Sequence, residues 1–64
     1  MRNHYIELAS RKVEDLKGVI AYYEEVLKNE LADWERKEYS KCLEKSRAEL
    51  VDAEAHLQWV IENV

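Results

Sequence analysis

The side chains best suited to chemistry here are Cys42, His4, His56 and Ser46. A cysteine becomes a nucleophile when its thiolate is stabilised, and Lys41 and Lys45 are the only neighbours placed to do that. The preferred reading is that Cys42 is a small apolar residue, buried or half-buried beside a helix seam. Its other use would be a disulfide between two copies, which needs a two-fold axis close by and an oxidising setting. His4 and His56 would fall near one end of a folded-back chain, but on different helix faces and with no third ligand supplied by spacing. They read as solvated rim residues rather than a metal site. A pH response of His56 beside Leu57 has no further support in the spacing. Ser46 occupies a core position, where its hydroxyl can bond back to the Cys42 carbonyl and its small volume makes room for Ile20.

No larger constellation surrounds these residues. With one glycine a phosphate-cradling loop is excluded, and there is no His-Glu-x-x-His, no paired-cysteine motif and no nucleophile elbow. The expectation is a non-enzyme with no catalytic, cofactor-binding or metal-binding residues.

The elements that would position these side chains are helices. The chain has no proline, and Glu, Lys, Leu and Ala, all good helix formers, dominate its polar and apolar positions. One apolar stripe, Ile6, Ala9, Val13, Leu16, Ile20, Tyr23 and Leu27, steps by three and four residues. A second, Tyr39, Leu43, Ser46, Leu50, Ala53, Leu57 and Val60, mirrors it about Asp33. Folding back at the mirror point sets Ala9 on Leu57, Val13 on Ala53, Leu16 on Leu50 and Ile20 on Ser46. Large thus meets small, as close packing requires. The heptad phase of the first stripe extrapolates to Trp34 and that of the second to Arg36, a slip that argues for a break rather than one unbroken helix.

The expected fold is therefore all-α: one domain over 1–64, an antiparallel two-helix hairpin resembling a coiled coil. Helix 1 is placed at about 4–29, the turn at about 30–33 and helix 2 at about 34–62. Asn29 is expected to close helix 1 in a left-handed conformation, and Asp33 to cap helix 2 with Glu35 in its first turn. Glu30 and Arg36 flank the turn with opposite charges, and Glu24 is expected to pair with Lys28 on the solvated face.

Composition narrows the function classes. The chain carries 10 basic against 14 acidic residues, a net charge of −4, which disfavours attraction to phosphate or anionic lipid. The longest unbroken apolar run is Val19 to Tyr23, far short of the roughly 20 residues of a membrane span. One unpaired cysteine suits a reducing compartment. A cytoplasmic protein without membrane or nucleic-acid partners is expected.

A hairpin of 64 residues is short for a self-sufficient core, and apolar residues are left over. Val19, Tyr22 and Val26 lie at the edge of the wide apolar face of helix 1, whereas Ala48, Val51, Ala55 and Trp59 form a stripe on the far side of helix 2. Trp34 stands at the turn. Tyr and Trp, the only aromatic types present besides His, favour interfaces because they join large area to a polar tip. These eight residues are the expected partner or oligomer contacts. The expectation is a homodimer forming a four-helix bundle, with an unidentified protein as a further target.

By architecture the chain resembles the tiny helical-hairpin inhibitors that bacteria and their phages direct at kinases, polymerases or defence complexes. The likeness is one of pattern; the stretch Ser46-Arg-Ala-Glu-Leu50 departs from the Ser-Gln-Glu-Leu-Asp signature of the small sporulation phosphatases in order and spacing. The expected function is that of a small regulator, inhibitor or adaptor acting by protein–protein interaction. The alternative is an acidic nucleic-acid mimic, or a factor touching DNA through Arg11, Lys12 and Lys17. Against it, the basic residues are interspersed among the acids rather than sorted.

Overall fold

The computed structural model describes residues 3–64 and contains two α-helices, α1 (His4–Val26) and α2 (Asp33–Asn63), packed against each other. The body measures 49 × 17 × 11 Å, so the chain has doubled back rather than run on as a single rod. All fourteen residues of the two mirrored stripes are buried or half-buried. Val13, Leu16 and Ala53 form the centre of the core, with Leu50 and Leu57 packed around them, as the mirror pairing requires. Ser46 is buried among the stripe residues, and no buried side-chain polar atom among the described residues lacks a partner. Toward the turn Tyr23 also meets Tyr39, with ring centroids 6.1 Å apart.

The helix ends correct several expectations. Asn3 caps α1, its Oδ1 accepting from the backbone N–H groups of Tyr5 at 2.9 Å and Ile6 at 3.2 Å. At the other end, α1 stops at Val26 and not near 29. Lys28 and Asn29 donate their N–H groups to the carbonyls of Glu25 and Val26, three residues back, so the last turn tightens. Asn29 is not left-handed: no described residue has a positive φ. The cap comes instead from across the turn. Arg36 donates through Nη1 to the Leu27 carbonyl at 3.0 Å and through Nη2 to the Asn29 carbonyl at 3.2 Å, satisfying oxygens the helix leaves open.

Asp33 is not the N-cap of α2. It is the first helical residue, and Ala32 takes the cap position with no side-chain acceptor to offer. Half of a capping box survives, because Glu35 Oε1 accepts from the Ala32 N–H at 3.1 Å. The expected Glu24–Lys28 pair is also absent. Lys28 lies beyond the shortened helix and pairs with Glu25 at 3.4 Å, while Glu24 reaches across the hairpin to Arg47 at 3.2 Å.

Candidate interaction surface

Two helices can shield only the strip along which they touch, and the burial pattern follows from that. Among the described residues no large side chain is completely buried, and Tyr5, Leu8, Val19, Tyr22, Trp34, Val51, Trp59, Ile61 and Val64 are exposed. Some of this apolar surface is gathered into a site. Near the open end of the hairpin a groove of about 450 Å³ is lined by Tyr5, Leu8, Ala9 and Lys12 from α1 and by Ala53, His56, Trp59, Val60 and Val64 from the end of α2. Its floor is made of small and β-branched seam residues. Its rims are Tyr5 and Leu8 on one side, and His56 and Trp59 on the other.

Each rim is ordered by aromatic contact. The His56 and Trp59 rings stack with centroids 6.3 Å apart and planes inclined by 14°, and the Asn63 side-chain amide donates to the Trp59 carbonyl at 2.8 Å. On α1 the His4 ring meets Tyr5 edge-on at 6.3 Å. Both histidines therefore stand at the open end against aromatic neighbours. Among the described residues no group of three or more His, Cys, Asp or Glu side chains could hold a metal ion.

Two shallower depressions continue the groove along the same face. One is bounded by Leu8, Arg11, Lys12, Asp15, Leu16, Val19 and Glu49, the other by Lys12, Glu49, Asp52, Ala53 and His56. The shared residues Leu8, Lys12, Glu49, Ala53 and His56 make these one surface. The flank of the seam beyond it is different in kind, being crossed by the Arg47–Glu24 ion pair.

The eight expected contact residues are thus distributed rather than united. Val19 borders the groove face, and Trp59 forms its rim. Tyr22 is exposed with its ring edge-on to Tyr23 at 5.6 Å, whereas Val26 is half-buried at the end of α1. Ala48, Val51 and Ala55 are all exposed and, by helical spacing, lie along the back of α2. Trp34, 70% exposed, stands alone at the turn. Sequence reasoning passed over Tyr5 and Leu8, which are 67% and 48% exposed and form one whole rim. The available signal was their place flanking Ala9, a side chain too small to fill the space beside the seam.

Cys42 departs from its expected burial and is exposed. It lies one step outside the seam beside Tyr23, whose phenol it perturbs. The pKa of Tyr23 is raised, first by the charge of Cys42, then by burial and by a hydrogen bond with the same thiol. No helix among the described residues is long and apolar enough to cross a membrane. No protein-family model, curated protein or solved structure matches the chain.

Proposed function

We propose that this hairpin is a small non-enzymatic interaction module that self-associates, two copies completing a four-helix bundle, and that binds a further protein as a regulator, inhibitor or adaptor. The observation that carries the reading is the apolar groove at the open end, continued by exposed Leu8 and Val19 along one face of a hairpin with no fully buried large side chain among the described residues. Exposed apolar surface of this continuity marks contact sites in water-borne domains. Trp59 and Tyr5, large and polar-tipped, are the residue types that dominate such contacts.

Sedimentation equilibrium over a concentration series tests the first half of the proposal, with a dimer as the expected species. A strict monomer would overturn self-association. Capture of a target protein tests the second half, and because apolar contact resists screening, capture is expected to survive about 0.5 M salt. Loss of capture at that salt would point to surface charge instead.

A further inference from the structure

We infer that the occupant of the open-end groove is the same groove face of a second copy, stacked about a two-fold axis parallel to the helices so that α1 of each copy lies over α2 of the other. This inference rests on the self-association reading and specifies which surface is used, and in what orientation.

The first argument is area. A compact 7.7 kDa monomer would expose about 4,300 Å² by the scaling of surface with mass, whereas this chain exposes 5243 Å². The excess, about 900 Å², is close to the roughly 800 Å² that each partner contributes to a standard interface. One further copy is an occupant of the right size.

The second argument is shape. The groove has a floor built on Ala9 and Ala53 and a rim that includes Trp59. A face that carries both a hollow and a large knob can satisfy itself when doubled, since each Trp59 can enter the hollow of the other copy. A two-fold axis along the bundle keeps both open ends at one level, which is what that exchange needs. It also makes every neighbouring pair of helices antiparallel.

The third argument is charge. Beside the groove, α1 presents Arg11 and Lys12, remaining net positive when Asp15 is counted, and α2 presents Glu49 and Asp52 at the same level. None of these four takes part in the ion pairs that the hairpin makes among the described residues. On the other flank Glu24 and Arg47 pair with each other across the hairpin. Laying α1 over the partner's α2 sets base against acid. Laying α1 over α1 would need a two-fold axis across the bundle, which keeps the bases of α1 away from the acids of the partner's α2 and forfeits that match.

The test uses the full chain and exposed positions, so that folding is preserved and is checked by helical circular dichroism. R11E/K12E removes both bases from the face, and E49K/D52K makes it strongly net basic, with Asp15 its one remaining acid. Each alone is expected to weaken dimerisation by about 10-fold or more, and an equimolar mixture is expected to form a heterodimer. Val51→Glu, on the back of α2, is expected to leave dimerisation unchanged. In a Trp34→Phe background, the fluorescence of Trp59 is expected to shift to the blue with rising concentration. A dimer that ignores both charge variants but is lost in Val51→Glu would overturn the inference while leaving self-association standing. A wild-type monomer at every concentration would overturn both.

Discussion

At the scale of single residues, two positions show how local chemistry is set by neighbours rather than by residue type. Gly18 lies inside α1 without a positive φ, and a Cβ built on it meets nothing within 4 Å. Its conformational freedom is therefore a cost without a structural return. Gly18→Ala is expected to stabilise the chain by about 0.5–1 kcal/mol, read from the midpoint of urea unfolding. Tyr23 is the opposite case, since its raised pKa depends on Cys42 beside it. A raised value means that folding favours the protonated phenol. That contribution is complete below about pH 10, where an unfolded tyrosine titrates, and is lost as pH rises through the higher folded value. Tyr23→Phe is accordingly expected to flatten the decline in unfolding temperature on the alkaline side. Cys42→Ser is expected to bring the Tyr23 titration, followed by ultraviolet absorbance, back toward its ordinary range.

At the scale of elements, the two helices are capped unequally. Asn3 supplies α1 with two side-chain hydrogen bonds, while α2 begins on an alanine that can supply none. Ala32→Ser is therefore expected to stabilise α2 by about 1 kcal/mol, provided Glu35 keeps its bond to the cap N–H. The turn depends on Arg36, whose guanidinium closes the end of α1 from the first turn of α2. Arg36→Ala is expected to cost about 0.5–1.5 kcal/mol and to loosen residues 27–31 first, which amide hydrogen exchange would detect as lost protection there. If protection is lost evenly along both helices instead, the turn is not the weak point.

At the scale of the molecule, a layer of two helices has a seam but no enclosed interior, so the same residues carry stability and exposure. Leu50 packs against Val13, Leu16 and Ala53, and Leu50→Asp would place an unpaired carboxylate there. The expected outcome is loss of helical circular dichroism at room temperature; a folded variant would contradict the core assignment. Trp59 is placed differently, on the rim of the groove with 59% of its surface exposed. Trp59→Glu is expected to weaken association in sedimentation far more than it lowers helicity under conditions where the monomer stays folded. Equal loss of both would make Trp59 part of the hairpin core.

The fold was legible in the sequence because a helical seam is a periodic object. Spacing of three and four residues identifies the buried stripe, the reversal of that spacing about Asp33 identifies the antiparallel partner, and every stripe residue is buried or half-buried in the structure. The ends of the helices were less legible. Asn29 and Asp33 have the right chemistry for caps, yet Arg36 and Glu35 perform the capping from positions determined only once the turn has closed. The groove was the least legible of all. Tyr5 and Leu8 look like the margin of a broad apolar face, and only the folded hairpin, which brings Ala9 and Ala53 into one floor, leaves a hollow between their rim and that of Trp59. Periodicity along a chain specifies which face a residue occupies, because a helix repeats. Whether that face is covered depends on the volumes of side chains brought from the other helix, and that the tertiary structure alone decides.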